Sequence, residues 1–363
     1  MNFSVMSLTA HNVPPGTLQG GTLIKASSSV YTPGQISTWL STIGFPHSFT
    51  EDDILHGRFP TTLENLHIVT RLHIIAFPFE NIMMHYSADH YMDISTEGLY
   101  KRMVIGRGGS YCFGLNGLFS QMILGLGYRA YTGAARINIA EKASDTPVYT
   151  AFSHMIIFVQ PGADSNETYL VDVGCGGSGL TRPILLSDAE DNVVIGTTPT
   201  EMHRLRRGAH PASRLASSER LWHLDILQIK DDVRQAKWRV VYAFSEEEYF
   251  PTDYESANFA VCRRPQPGGL FWKNIVCSKH FWLDSHEVGA SDGGVDKSIM
   301  TRYMGRLGME GRTVRRHVGS QSEVIRTMAT ETERTAALRE LFGIDLSPED
   351  LEHVRGRDAA LSG

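Results

Sequence analysis

The sequence predicts an α+β chain built in successive units, and three observations carry that prediction. Helical periodicity dominates residues 32–77, and short runs bounded by turn residues dominate residues 128–174. Strand and helix signals then mix from residue 221 onward, and 363 residues favour two or three units over one compact core.

Residues 1–30 are rich in Ser, Gly, Thr and Pro and lack periodicity, so they read as a flexible leader. TPGQISTWLSTIG opens on Thr-Pro and stops at a glycine, as a capped helix does. TTLENLHIVTRLHIIAF places Leu63, Leu66, Val69 and Leu72 at helical spacing, and NGLFSQMILGLG reads as a further helix. A helical unit thus covers residues 31–126. RAYTGAARINIA, FSHMIIFVQPG and ETYLVDVG are strand-like runs bounded by Gly, Pro, Asn or Asp, which predicts an antiparallel sheet or small barrel over residues 127–240. Within that unit, residues 188–220 are polar and read as a long surface insertion. Strand signals resume at LWHLDILQIK and WRVVYAF. The last unit, residues 241–363, contains a Gly/Asp/Ser-rich surface loop, DSHEVGASDGGVDKS, and closes on the helix ETERTAALRELFG with Gly343 as its stop.

Composition excludes several classes. With 34 basic against 40 acidic residues the chain has no net field for nucleic acid, so no nucleic-acid partner is expected. The first residues lack a basic start and a sustained apolar core, so neither a signal peptide nor a membrane span is expected, and the reading is cytoplasmic. Four cysteines stand far apart without a CxxC pair, and no HExxH occurs among the histidines, so no metal is expected.

Chemistry concentrates around Cys112. A thiol attacks as thiolate, and a helix N-terminus beside an imidazolium favours that form. Cys112 meets the first condition if NGLFSQMILGLG is helical, with Gly108 and Gly109 allowing a sharp turn before it. FSHMIIFV places His154 in an apolar run, where its second nitrogen needs a partner, and YLVDVG places Asp172 at a strand end. Nucleophile, base and orienter on neighbouring elements make a catalytic triad. Spacing alone equally allows a small buried cysteine, a satisfied core histidine and a turn-forming aspartate. GCGGSG matches GxGxxG, but Pro183 interrupts the helix that a dinucleotide site needs; a phosphate-holding turn and a plain hairpin loop both remain open.

Together these segments resemble the arylamine N-acetyltransferases. LHIIAFPFENI resembles the family's Pro-Phe-Glu-Asn signature, RGGSYCFGLN its Arg-Gly-Gly-x-Cys segment with Asn116 in place, and GAARINI its Ala-Arg-Val strand. SHMIIFV resembles the histidine strand, LVDVGCGG the Asp-Val-Gly-Phe-Gly segment, and YAFSEEEYFPTDYESANF and LRELFGIDL the linker and last helix. Ordered matches run from Ile36 to Leu346. The resemblance implies an N-terminal helical bundle, a central antiparallel β-barrel and a C-terminal α/β lid around a cysteine-protease-like Cys-His-Asp core.

It also implies roles. Cys112, His154 and Asp172 would carry an acetyl or malonyl group from acyl-coenzyme A to an aromatic amine or hydrazine. Gly176, Gly177 and Tyr242 would contact the coenzyme, and Phe79, Tyr111 and Cys175 would line the acceptor pocket. Arg107 and Glu80 would form a buried ion pair beneath the nucleophile turn. Two departures stand out: both Ser110 and Tyr111 separate Gly-Gly from Cys112, and Cys175 replaces the usual Phe. The leader and extra residues near 188–220 and 285–320 lengthen the chain beyond bacterial members, a pattern that resembles eukaryotic, fungal-type ones. A papain- or transglutaminase-type hydrolase would use the same triad, but the CGSCW context is absent. A non-catalytic binding module is the third expectation, disfavoured by the intact triad letters.

Overall fold

The computed structural model describes residues 15–361 except 141, 144, 216–220, 231–233, 235, 264–268, 285–286 and 288–297. Six helices and one short strand make the first unit: α1 (Pro33–Ile43), α2 (Glu51–Leu55), α3 (Leu63–Ala76), β1 (Phe79–Glu80), α4 (Met83–Tyr86), α5 (Thr96–Leu99) and α6 (Cys112–Gly125), with a π-helical turn at Tyr100–Ile105. Thr32 caps α1 in a reciprocal box with Gln35, and Gly44 ends it at φ 72°, a left-handed conformation that glycine adopts without penalty. Leu66, Val69 and Leu72 of α3 meet Trp39 and Leu40 of α1 and Leu118, Phe119 and Met122 of α6 in one apolar core.

Eight antiparallel strands follow: β2 (Arg129–Asn138), β3 (Tyr149–Gln160), β4 (Tyr169–Val171), β5 (Ile184–Leu185), β6 (Val193–Ile195), β7 (Glu201–Gly208), β8 (Leu221–Gln228) and β9 (Trp238–Phe244). Their order is β5-β4-β3-β2-β9-β8-β7-β6. The two ends nearly meet, because Thr181 donates to the Gly196 carbonyl at 2.8 Å and the Asn192 amide donates to Leu185 and Ser187 carbonyls at 2.8 and 2.6 Å. This is the barrel. β3 is buried on both faces: Ile156 and Phe158 fill the barrel, whereas Ile157 and Val159 join the helical core. That explains its continuous apolar run.

A second sheet, ordered β1-β10-β11-β12-β13, contains β10 (Val276–Trp282), β11 (Met304–Glu310), β12 (Thr313–Val318) and β13 (Gln321–Thr327). It is accompanied by α7 (Pro251–Arg263), α8 (Leu270–Lys273), α9 (Glu331–Ala337) and α10 (Pro348–Val354). Gly343 stops the helical stretch after α9 at φ 75°, and α10 then follows it. β1 reaches from the helical unit into this sheet, pairing Phe79 with Ser278 and Glu80 with Cys277. Among the described residues no helix is long and apolar enough to cross a membrane.

Two expectations need correction. Within the expected flexible leader, residues 15–30 pack onto the fold: Leu18 and Ile24 are buried in the barrel core cluster, and the Ile24 N–H donates to the buried Gln160 side chain at 2.9 Å. Two apolar side chains in a polar text sufficed to hold the segment; residues 1–14 lie outside the described residues. Within the expected surface insertion, residues 193–195 and 201–208 are β6 and β7. β7 alternates buried Glu201, His203 and Leu205 with half-buried neighbours, so its inward positions are largely polar and hid the strand period. Likewise β11 and β12 occupy the extra residues near 285–320, whereas most of the expected loop at 284–298 lies outside the described residues.

Candidate active site

Cys112 is the first residue of α6, 5% exposed, behind a turn that threads under β1. Phe79 and Ser110 bridge in parallel, the Glu80 N–H donates to the Ser110 carbonyl at 2.9 Å, and the Ser110 N–H donates to Pro78 at 3.3 Å. The two residues before Cys112 are therefore absorbed by a strand-like clasp. A Cβ at Gly109 would lie 2.1 Å from the Pro78 carbonyl oxygen, so only glycine fits there.

His154 comes from β3 at a bulge, where Ala135 pairs with His154 but Arg136 with Phe152. Such bulges re-aim side chains at functional sites. Asp172 lies just past β4, whose register pairs Phe158 with Leu170; continued by two residues, that register sets Asp172 diagonal to His154 on the barrel face. His154 Nε2 and Asp172 Oδ2 are 2.7 Å apart, both fully buried or nearly so. The Cys112 thiol donates to the Ser153 carbonyl at 3.6 Å and lies close enough to the same imidazole to favour its charged form. Cys112, His154 and Asp172 thus converge.

Asn116, one helical turn after Cys112, ties the parts together. Its amide donates to Asp172 Oδ1 at 2.9 Å and to the Met155 carbonyl at 2.7 Å, and its carbonyl oxygen accepts from the Val173 N–H at 2.9 Å. The Gly174 N–H adds a 2.9 Å bond to Asp172 Oδ1. A Cβ at Gly174 would sit 2.8 Å from the Cys112 Cα, so the loop and α6 can approach this closely only with glycine there. Burial alone would lower the imidazole, but the Asp172 charge and hydrogen bond outweigh it and raise His154 to about 10. Burial likewise opposes the Asp172 carboxylate, yet His154, Asn116 and Gly174 hold it below the usual carboxylate value.

A cleft beside the triad is lined by Ile74, Phe77, Phe79, Asp172, Cys175, Gly176, Leu180 and His280, among others. Phe79, Cys175 and Gly176 therefore stand on its wall. The Gly177 carbonyl accepts from Arg306, the Ser178 carbonyl faces His203 at 3.1 Å, and Arg239 reaches the Ser178 hydroxyl at 3.4 Å, so the glycine turn is gripped from behind. His154, Asp172 and Cys175 each offer a ligand atom within 4.8 Å of one another. Both Asp172 oxygens already accept hydrogen bonds. A larger hollow of about 70 Å³ is lined by Glu201, Arg306 and His317, among others, and by no cysteine.

Three expected site residues lie elsewhere. Tyr242 is fully buried in the barrel, its ring 5.1 Å from His154 and its hydroxyl against Asp172, so it backs the triad from the interior. Tyr111 is also fully buried, its hydroxyl bonded to Asn258 of α7 and facing Cys262 at 3.3 Å, so it anchors the nucleophile turn and does not line the pocket. Arg107 is exposed at φ 59° and donates to the Thr42 carbonyl at 2.7 Å; it forms no ion pair with Glu80. The cation facing Glu80 is Arg102 of the π-helical turn, which donates to the Gly109 carbonyl and the Asp93 carbonyl at 2.9 Å and to the Ser110 hydroxyl at 3.2 Å. Burial pushes the Glu80 carboxyl up, while the Arg102 charge and the Ile82 N–H oppose it. The left-handed Arg107 backbone turns that side chain outward. Nothing in the local text distinguishes the two arginines, five residues apart.

Residues 62–286 match the family described as N-acetyltransferase. The chain is 26% identical over 333 residues to the N-malonyltransferase FDB2 of Gibberella moniliformis, covering 88% of this chain and 91% of that one. It is 28% identical over 304 residues to the arylamine N-acetyltransferase of Mycolicibacterium smegmatis, covering 84% and 91%. The solved M. smegmatis arylamine N-acetyl transferase superposes with a TM-score of 0.62 at 26% identity, over 89% of this chain and 95% of that one. The matched span contains the nucleophile helix, the histidine strand and the aspartate turn, and with that the chain belongs to the arylamine N-acetyltransferase family.

Proposed function

We propose that the chain is an arylamine N-acyltransferase that moves an acetyl or malonyl group from acyl-coenzyme A to an aromatic amine or hydrazine through a thioester on Cys112. The carrying observation is the 2.7 Å His154–Asp172 bond with the Cys112 thiol on the same imidazole. The Cys112 sulfur attacks the thioester carbonyl, and the first-turn N–H groups of α6 face the developing oxyanion. The tetrahedral adduct expels coenzyme A, whose sulfur takes the proton from His154. An amine then attacks the Cys112 thioester, gives its proton back to His154, and leaves as the amide with Cys112 restored. A positioned acid/base of this kind contributes ~10² to 10⁴ in rate.

Phe79 and Cys175 form the acceptor wall in this reading, and Gly176 and Gly177 flank the donor's path. Flat apolar amines suit an aromatic wall. Deep burial of Cys112 keeps water from the thioester, which favours transfer over hydrolysis. Acetyl- and malonyl-coenzyme A both stand as donors, because relatives of nearly equal identity carry each name.

The test incubates the enzyme with each acyl-coenzyme A in turn, with and without an arylamine. Acylation of the Cys112 peptide without amine, and coenzyme A release that accelerates when amine is added, are expected. Release that ignores the amine would sink the transferase reading in favour of a hydrolase.

A further inference from the structure

The cleft beside the triad has one polar wall. Ile74, Phe77, Phe79, Val173 and Leu180 make its lining largely apolar, but β10 contributes Ser278 and His280. These two alternate along the strand and so share one face of the second sheet. Phe79 of β1 pairs with Ser278 and Arg306 of β11 pairs with His280, and cross-strand partners extend the same face. Ser278 and His280 are each 8% exposed. The Ser278 hydroxyl has no hydrogen-bond partner, and among the described residues none hydrogen-bonds the His280 ring. Buried polar groups are ordinarily satisfied, so two idle ones on the wall of a cleft point to a ligand.

The charges around this corner decide the sign of that ligand. Burial, Arg306 and Arg71 push His280 down to about 3 against the opposing pull of Glu201, so the ring is neutral and has one N–H to donate. Arg306 donates to the Gly177 carbonyl and stands 3.9 Å from the Glu201 carboxylate. Arg71, 0% exposed, donates to the Ile299 and Arg302 carbonyls. The one carboxylate on the cleft wall, Asp172, is taken up by His154, Asn116 and Gly174. An ammonium would be repelled by the two guanidiniums, and an apolar group would leave the hydroxyl stranded. A carboxylate would accept from both idle donors. The free space is about 10 Å³, room for one oxygen-sized group and not for a ring.

We propose that Ser278 and His280 form a carboxylate-recognising corner of the cleft, which selects substrates of the acyl transfer that carry a carboxylate. Either substrate can supply it: a malonyl group in place of acetyl on the donor, or an aminobenzoate in place of aniline as acceptor. The corner deepens the acyl-transfer reading and rests on it. Ser278 and His280 set specificity here and take no part in the proton transfers at Cys112. A site built to hydrogen-bond a group discriminates against the analogue that lacks it, because its own donors are then left unpaired.

Two ratios of kcat/KM test this. The donor ratio compares malonyl- with acetyl-coenzyme A on aniline, and the acceptor ratio compares 4-aminobenzoate with aniline on acetyl-coenzyme A. Ser278→Ala removes only an unpartnered hydroxyl, and in it one ratio falls about ten-fold, chiefly through KM. Ser278→Thr, which keeps the hydroxyl, retains most of that preference, and His280→Leu lowers the same ratio as Ser278→Ala does. A purely structural role would slow both substrates of a pair alike and leave each ratio where it was. A fall in the donor ratio assigns the corner to the acyl group, and a fall in the acceptor ratio assigns it to the amine. Both ratios unchanged in Ser278→Ala and in His280→Leu overturn the proposal. If the parent enzyme acylates no amine from either donor, the acyl-transfer reading itself fails. Calorimetry of the same four compounds then decides the corner: a binding preference for a carboxylate that Ser278→Ala lowers about ten-fold supports it, and equal preferences overturn it.

Discussion

Two clusters of buried charge, one around Asp172 and one around Arg71, are built on contrary principles. Around Asp172 the charges satisfy each other: one oxygen takes His154, the other takes Asn116 and Gly174, and the Cys112 thiol lies close to the imidazole. Around Arg71 the charges share one sign, and two guanidinium nitrogens are left unpartnered. A network complete in itself is organised for chemistry before substrate arrives, whereas an incomplete one carries a desolvation cost that the surrounding packing must offset. The comparison separates residues whose loss should lower turnover from residues whose loss should lower stability.

Cys112→Ser gives the sharpest break. Amine acylation should fall by at least ~10³-fold while the thermal midpoint stays near that of the parent enzyme, since exchanging one sulfur for oxygen removes little packing volume. Ordinary turnover in that variant would overturn the thioester route. Asp172→Asn should cost ~10³ to 10⁴-fold in kcat by selecting the wrong histidine tautomer.

The same substitution removes the charge that raises His154. The parent's activity should persist with rising pH until the imidazolium is lost at about 10, and the variant's alkaline limb should move down to the ordinary 6.5 or below it, because burial then acts on the imidazole without the opposing carboxylate. Stability follows with opposite signs. His154 is raised, so its contribution is full below 6.5 and disappears as pH climbs through about 10. Asp172 is depressed, so its contribution is present above 3.8 and disappears as pH falls through its lower folded value. Urea midpoints across that range should peak between the two limits; a flat profile would contradict the pairing.

Asn116→Ala ranks next. It removes one of the two hydrogen bonds to Asp172 Oδ1 and strands the Val173 N–H, so kcat should drop ~10 to 10²-fold and stability by about 1–3 kcal/mol, read from paired kinetics and denaturation. The smallest effect distinguishes the two arginines near the nucleophile. Arg102→Met should destabilise by ~3 kcal/mol because Glu80 is left buried without its cation, whereas Arg107→Ala should stay within about 0.5 kcal/mol. Equal losses would restore the pairing expected from sequence.

Legibility in the sequence tracked how local the signal was. Thr32, Gly44 and Gly343 mark their helix ends in single letters, and they do so in the structure. The strand runs of β3 and β8, buried over consecutive residues, also announced themselves. β7 did not, because a strand whose inward positions are Glu201 and His203 lacks the apolar period. Among site residues, Phe79, Cys175 and Gly176 reached the cleft, but Tyr111 and Tyr242, adjacent to functional positions in sequence or by resemblance, turned into the interior.

The chain's letters, by themselves, determined the secondary structure that carries the site and the kinds of group available to it, since helix caps, turn glycines and strand periods act over a few residues. Which side chains meet was decided only by tertiary packing. The β3 bulge, the register of β4 and the left-handed backbone at Arg107 chose Arg102 over Arg107 and brought His154 to Asp172. Contacts between residues far apart in sequence depend on register and side-chain direction, and a one-residue shift in either reverses the face presented.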